Sequence, residues 1–258
     1  MKKYLLDLKV VENVHLAPNF ALLKLLADEP LPEMQPGQFA EIRVDNAHNT
    51  FLRRPISINF VDRQQNTVWF LIQIVGEGTK HLSTLNVGAV VNVLLPLGNG
   101  FSMPQHIGEK LLLVGGGAGI APMLYFGEQL VLKGIRPAFL LGARTASMLL
   151  QLDEFTKYGD VYTTTEDGSQ GEKGFVTQHS VLGNRHFDRI CCCGPKPMML
   201  SVARYAKANG ITCEVSLENK MACGLGVCLC CVENTTVGNI CVCKEGPVFN
   251  INDLLWQI

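Results

Sequence analysis

Over the first hundred residues, apolar and polar positions alternate in short runs. The runs fall at 10–15, 20–26, 39–44, 67–75 and 90–95, with turn signals such as Pro36-Gly37 and Asn86-Val87-Gly88 between them. Strand residues on one face recur every second position, so the pattern predicts several short strands closing into a small antiparallel barrel, without a long helix. From Lys110 the texture changes, and apolar runs at 111–114, 138–141, 160–164 and 189–193 alternate with helical patterns. Strands covered on both faces read as continuous apolar runs, so this part predicts a parallel sheet flanked by helices. Beyond about Val215 the chain is rich in cysteine and glycine and offers only short elements. The expected fold class is β-barrel plus α/β with a small C-terminal domain, divided at 1–101, 102–215 and 216–258.

Composition sharpens the picture by exclusion. The 258 residues are 47% hydrophobic and 17% charged, enough apolar material for a substantial core. A net charge of −1 offers no electrostatic footprint for nucleic acid. The longest uncharged stretch, 111–127, is short for a membrane span and contains five glycines and a proline. A buried strand running through a glycine turn into a helix accounts for it better, and no membrane association is expected. All ten cysteines lie at or beyond Cys191, and charge interrupts the first nine residues too soon for a secretory signal. Reduced thiols in the cytoplasm are the expected setting.

Three motifs carry candidate chemistry in the first two segments. Arg54-Pro55-Ile56-Ser57 opens an alternating strand of the barrel. An arginine there can fork onto a pyrophosphate while Ser57 offers a hydroxyl to a flavin edge; the alternative is an edge strand with a solvated arginine. Downstream, Gly76-Glu77-Gly78-Thr79 allows close backbone approach to a phosphate and a hydrogen bond from Thr79. The second motif, Gly115-Gly116-Gly117-Ala118-Gly119-Ile120-Ala121-Pro122, stands between an expected strand and an expected helix. Such a turn lets a dinucleotide pyrophosphate approach the helix N-terminus, or else is a structural turn only. The third, Cys193-Gly194-Pro195, follows the last buried strand, where ligands of open parallel sheets bind. Cys191, Cys192 and Cys193 are consecutive and so point to alternate faces, which suits small buried residues rather than one metal site.

Cys223, Cys228, Cys231 and Cys243 form a C-x4-C-x2-C run followed by C-x11-C, with Gly224 and Gly226 in the first loop. That spacing matches thiolate ligation of a two-iron, two-sulfide (2Fe-2S) cluster, a site for moving single electrons. Structural zinc is the alternative, although zinc sites more often pair two short knuckles. Cys230 and Cys241 are spare thiols, and Cys230 lies inside the short Cys228–Cys231 loop. The few histidines form no acid–base or nucleophilic constellation.

Pro36-Gly37-Gln38-Phe39, Arg54-Pro55-Ile56-Ser57, Leu95-Pro96-Leu97-Gly98-Asn99-Gly100-Phe101, the glycine turn from Gly115, Gly142-Ala143-Arg144-Thr145 and Cys193-Gly194-Pro195 stand in the order seen in the ferredoxin–NADP reductase superfamily. Thr165-Glu166-Asp167-Gly168-Ser169, Lys173-Gly174-Phe175-Val176-Thr177, Met221-Ala222-Cys223-Gly224 and Cys243-Lys244-Glu245-Gly246-Pro247-Val248-Phe249 narrow the likeness. With them, essentially the whole chain resembles the electron transfer subunits of class 1B dihydroorotate dehydrogenase. Lys220, where that family more often has arginine, and a short Cys231–Cys243 loop are departures.

The resemblance implies FAD in the barrel, NAD as an exchangeable substrate at the second domain, and a 2Fe-2S cluster facing a partner. Flavin contacts would be Arg54, Pro55, Ile56, Ser57, Leu71, Ile72, Gln73, Gly78 and Thr79; NAD contacts would be Gly115, Gly116, Gly117, Gly119, Cys193, Gly194 and Pro195. Cys193 is the candidate residue beside the nicotinamide. The cluster ligands would be Cys223, Cys228, Cys231 and Cys243. The partner would be an FMN-containing dihydroorotate dehydrogenase catalytic subunit, in a heterotetramer of two of each chain. Glu166 and Asp167 would repel a 2′-phosphate and favour NAD over NADP. An NAD(P)H–ferredoxin reductase or hydrogenase-type flavin subunit shares these domains, and a zinc-stabilised binding module is the non-redox alternative.

Overall fold

The computed structural model describes residues 2–47 and 49–258. The chain divides into two compact units. One takes in Met1–Gly100, Asn219–Glu233 and Ile240–Pro247; the other takes in Phe101–Glu218, Asn234–Asn239 and Val248–Ile258. The segment 216–258, expected as one domain, is thus shared between them.

In the first unit β1 (Tyr4–Ala17), β2 (Phe20–Leu26), β3 (Phe39–Ile42), β4 (Arg54–Asp62), β5 (Thr67–Gln73) and β6 (Val90–Leu97) close into a barrel in the order β1-β2-β5-β4-β3-β6. Strand β1 is longer than its alternating pattern predicts because it serves two partners. Its first half pairs with β6 from Tyr4↔Leu95 to Lys9↔Val90, and its second half pairs with β2 through two register shifts. Bulges of this kind bend and twist a strand, which lets a sheet curl shut. Leu23, Leu25, Ile58, Val68, Phe70 and Ile72 fill the interior. A short helix, α1 (Glu77–Leu82), follows β5.

Strand β4 changes partner along its length. The β4–β5 ladder runs from Ile58↔Phe70 to Asp62↔Thr67, whereas residues 54–57 pair with β3. Strands β4 and β5 therefore part at the end that carries 54–57 and 71–73.

In the second unit β7 (Leu111–Gly116) runs through a 3-10 turn, Gly117–Ile120, into α2 (Ala121–Leu132). There follow β8 (Ala138–Ala143), α3 (Leu152–Tyr158), β9 (Asp160–Thr165), β10 (Glu172–Lys173), α4 (Val181–Asn184), β11 (Arg189–Cys193), α5 (Lys196–Ala208) and β12 (Thr212–Ser216). Later in the chain come β13 (Val232–Thr235) and β14 (Gly238–Cys241), which are divided between the units, α6 (Val242–Glu245), which belongs to the first, and β15 (Val248–Asn250), which belongs to the second. The main sheet has the order β10-β9-β8-β7-β11-β12-β15, parallel except for β15, which runs antiparallel to β12. Strand order reverses at β7, so the carboxyl ends of β7 and β11 form the switch point where such sheets bind ligands. Cys191, Cys192 and Cys193 are all buried in β11, between β7 and β12, as small apolar residues.

The turn after β7 is tightly packed. A Cβ on Gly119 would stand 2.3 Å from the Cys193 carbonyl oxygen and 2.5 Å from the Gly194 nitrogen, both rigid main-chain atoms. Gly119→Ala should therefore destabilise the protein by roughly 1–3 kcal/mol through overpacking. Gly183, in α4 with open space around it, is the control: Gly183→Ala should be neutral or stabilising by up to about 1 kcal/mol. Urea unfolding of both variants checks this; equal effects would refute the packing explanation.

Candidate electron-transfer site

The parted end of β4 and β5 gathers the expected flavin residues. Residues 54–57 are half-buried, while the following 58–61 are fully buried, so the strand opens toward solvent where Arg54 and Ser57 stand. A Cβ on Gly78 would lie 2.6 Å from Arg54 Nε, so the guanidinium packs directly on the bare backbone of α1. Arg54 and Gly78 are far apart in sequence, and their meeting makes one cradle of two motifs. Leu71 and Ile72 have buried side chains, so what they present at the opening is main chain left outside the β4 ladder. Thr79 corrects an expectation. Its Oγ1 accepts from the N–H groups of Val75 and Gly76 and gives its own proton to the Gly76 carbonyl. The hydroxyl fastens the loop and has no proton left for a phosphate.

The glycine turn of the second unit also does more structural work than its sequence suggests. Gly115 packs on Ile120, Gly116 on Met198 and Pro195, and Gly119 on the backbone of Cys193 and Gly194. Gly117, at φ +57°, has open space where a side chain would stand. The turn and the Cys193-Gly194-Pro195 segment are thus one contiguous surface at the switch point. The Cys193 thiol is 1% exposed; burial, with the Glu218 charge and against a Ser216 hydrogen bond, keeps it far above the ordinary thiol range. A nicotinamide at this strand end would meet main chain, not a reactive thiolate. Glu166 and Asp167 lie just past β9 and are exposed. Hydrogen bonds from the Ser169 hydroxyl and amide hold the Asp167 carboxyl below the usual carboxylate range.

All four expected cluster cysteines belong to the first unit, with the barrel. Their loop turns amides onto sulfur: Leu225 N–H and Val227 N–H each reach Cys223 Sγ at 3.4 Å, Gly226 N–H reaches Cys243 Sγ at 3.1 Å, and Cys243 N–H reaches Cys231 Sγ at 3.3 Å. Gly224, Gly226 and Leu229 take positive φ to make these turns. Burial raises the Cys223 thiol, but the amides of Leu225, Cys228 and Val227 and the Cys228 thiol outweigh it and bring its pKa down to about 6. Among the described residues, no group of three or more metal-binding side chains is gathered on a single ion's position. Four cysteines in a loop whose amides turn onto sulfur fit the donor set of a two-iron cluster.

The cysteine segments are fastened to the barrel by the residues after β6. Asn99 N–H donates to the Gly246 carbonyl at 2.6 Å, and its side-chain amide donates to the carbonyls of Glu245 at 2.9 Å and Lys244 at 3.3 Å. On strand β3 a second contact was not anticipated. Glu41 is 0% exposed, and both carboxylate oxygens lack a hydrogen-bond partner. A Cβ on Gly224 would lie 2.7 Å from Glu41 Cγ, so the carboxyl abuts the loop beside Cys223. Burial, resisted mainly by Arg53, raises its pKa to about 7, and the Cys223 charge adds to the rise. The sequence signal was available: a carboxylate between Ala40 and Ile42 in an apolar strand.

A barrel with an arginine packed on a bare glycine backbone, a dinucleotide-type sheet and an amide-lined loop of four cysteines belong to a reductase with nicotinamide and iron–sulfur chemistry. The comparisons agree. Residues 218–255 match the iron-sulfur cluster binding domain of dihydroorotate dehydrogenase B, and residues 113–204 match the oxidoreductase NAD-binding domain. The electron transfer subunit of dihydroorotate dehydrogenase B (NAD(+)) from Fusobacterium nucleatum subsp. nucleatum is 37% identical over 96% of this chain and 97% of its own. That from Shouchella clausii is 36% identical over 99% of this chain and 100% of its own. The chain belongs to the family of dihydroorotate dehydrogenase B electron transfer subunits. A solved structure of NADH-dependent reduced ferredoxin-NADP oxidoreductase superposes with TM-score 0.85 at 29% identity, covering 96% of this chain and 90% of that one. An Amycolatopsis cytochrome P450 reductase, at 22% identity and TM-score 0.69 over 80% of this chain and 66% of its own, shares the fold.

Glu41 yields a pH test. Its folded pKa of about 7 lies above the ordinary value of 4.5, so the folded state holds the proton more tightly than the unfolded state. The stabilisation is full below pH 4.5 and is lost as pH rises through about 7, a loss on the order of 3 kcal/mol by pH 8. Glu41→Gln should unfold at a higher temperature than wild type at pH 8, with the gap shrinking toward pH 5. A gap independent of pH would contradict this.

Proposed function

We propose that this chain is the electron transfer subunit of an NAD-dependent dihydroorotate dehydrogenase. It takes electrons from the FMN of a catalytic partner and delivers them to NAD+ in de novo pyrimidine (UMP) biosynthesis. The observation that carries this reading is the placement of the amide-lined cysteine loop and the Arg54–Gly78 cradle on one compact unit, in a chain of this family. When bound, the two-iron cluster supplies one-electron transfer, and FAD links that to hydride chemistry at NAD+.

The chain's own residues bind and orient. Arg54 neutralises the flavin pyrophosphate, Pro55, Ile56 and Ser57 line the flavin with the main chain of Leu71, Ile72 and Gln73, and Gly78 and Thr79 hold the cradle closed. Gly117 leaves room for the NAD pyrophosphate, while Gly115, Gly116 and Gly119 shape the turn against Cys193, Gly194 and Pro195. Cys223, Cys228, Cys231 and Cys243 hold the cluster. Leu225, Val227 and Leu229, at 40%, 75% and 65% exposure, stand beside exposed Cys228; this apolar rim is the docking face for the FMN subunit, in a heterotetramer of two of each chain. Among the described residues no helix is long and apolar enough to cross a membrane, and free thiols throughout suit the cytoplasm. The likeness to an NADH-dependent reduced ferredoxin-NADP oxidoreductase supports a second reading, a reductase serving ferredoxin.

Purified with its FMN partner, the complex should reduce NAD+ with dihydroorotate, and the isolated chain should not. Activity with reduced ferredoxin but not with dihydroorotate would favour the second reading. Arg54→Ala should weaken FAD retention by about 10- to 100-fold, the worth of charge-assisted bonds to phosphate; unchanged flavin content after dialysis would remove Arg54 from the site. The complex should prefer NAD+ over NADP+ in kcat/KM, and Asp167→Asn should narrow that preference. A wild-type preference for NADP+ would overturn the role of Asp167.

A further inference from the structure

The loop after β9 is tied to the turn after β8 through one side chain. Ser169 Oγ accepts from the Ala146 N–H at 2.7 Å and donates to Asp167 Oδ1 at 2.6 Å. The Ser169 N–H reaches the same carboxylate oxygen at 3.0 Å. Main chain joins the two segments as well: Glu166 N–H donates to the Ala143 carbonyl at 3.1 Å, and Asp167 N–H to that of Arg144 at 3.3 Å. The carboxyl ends of β8 and β9 thus carry one continuous rim. The base of the loop closes without Ser169. There Thr165 Oγ1 donates to the Gln170 carbonyl at 2.9 Å and accepts from the Gln170 N–H at 3.0 Å. A Cβ on Gly171 would lie 2.0 Å from the Thr163 carbonyl oxygen, so that end of the loop is packed on β9.

What Ser169 adds is the orientation of one carboxylate. Asp167 is exposed, and a free side chain there would exchange among rotamers. The Ala146 N–H can only donate, so the Ser169 hydroxyl must spend its own proton on Asp167. Both bonds from Ser169 fall on Oδ1, which leaves Oδ2 to accept from a ligand. We propose that Ser169 is a positioning residue for the nicotinamide nucleotide, holding Asp167 so that Oδ2 accepts from the 2′-hydroxyl of the adenosine ribose. The inference rests on the reading of Asp167 as the group that favours NAD over NADP. A carboxylate past a strand end takes that hydroxyl in dinucleotide-binding sheets. At an exposed rim the bond contributes most when its acceptor is fixed before the ligand arrives.

The test titrates the full chain, purified with its FMN partner and kept oxidised, in a calorimeter. The probes are NAD+ and its analogue lacking the adenosine 2′-hydroxyl. Ser169→Ala should weaken NAD+ binding by about 3- to 10-fold, the worth of one hydrogen bond, and leave the analogue's affinity unchanged. Ser169→Thr, which restores the hydroxyl, should restore NAD+ binding. Asp167→Ala should weaken NAD+ at least as much, and Ser169→Ala/Asp167→Ala no further, because the serine acts through the carboxylate. Wild-type NAD+ affinity in Ser169→Ala, beside a weakened Asp167→Ala, would overturn the proposal and spare the role of Asp167. Equal losses for NAD+ and the analogue in Ser169→Ala would reduce Ser169 to a structural residue and overturn it too. So would additive losses in the double variant. Unchanged NAD+ binding in Asp167→Ala would remove the reading of Asp167 itself, and the proposal with it.

Discussion

The attachment of the cysteine loop to the end of β6 is the contact on which the first unit's function depends. Asn99 binds the carbonyls of Lys244, Glu245 and Gly246, the residues immediately after Cys243. Three hydrogen bonds from one asparagine position the distant fourth cysteine, which short-range sequence could not do. The loop's other side is set by Gly224, whose missing side chain lets it rest on Glu41 of β3. One-electron transfer depends steeply on distance, so a carrier must be mounted on a rigid element rather than tethered. The barrel supplies that mount for the cysteine loop and the Arg54–Gly78 cradle alike.

Much of this was legible in the sequence because the relevant signals are local. Alternation revealed the barrel strands, continuous apolar runs revealed the parallel sheet, and cysteine spacing marked the four cysteines that the structure gathers in the first unit. What escaped depends on contacts between distant residues. Strand β1 was read short because its bulges break the alternation that marks a strand. Strand β15 gave no signal of its own, being three residues that pair antiparallel with β12. The same long-range pairing draws part of the cysteine-rich segment away from the rest.

Roles assigned from residue type proved harder than positions. Thr79 stands beside Gly78 in the Arg54–Gly78 cradle, yet its hydroxyl is used up in fastening the Val75–Gly76 backbone. Three of the four turn glycines are bare because protein, not ligand, occupies the space a side chain would need. Glu41 shows the converse. A buried carboxyl without a hydrogen-bond partner costs stability, and a protein keeps such a group only where something offsets it. Its place beside the Cys223 loop puts that cost at the metal site.

The central claim is that the four cysteines hold an electron carrier on the flavin barrel. Metal and sulfide analysis of the anaerobically purified chain, with electron paramagnetic resonance after dithionite reduction, tests it most directly. The account predicts two irons and two sulfides per FAD, and the signal of a reduced two-iron cluster that shifts or broadens when Glu41 or Gly224 is altered. One zinc per chain, no iron and no signal would contradict it.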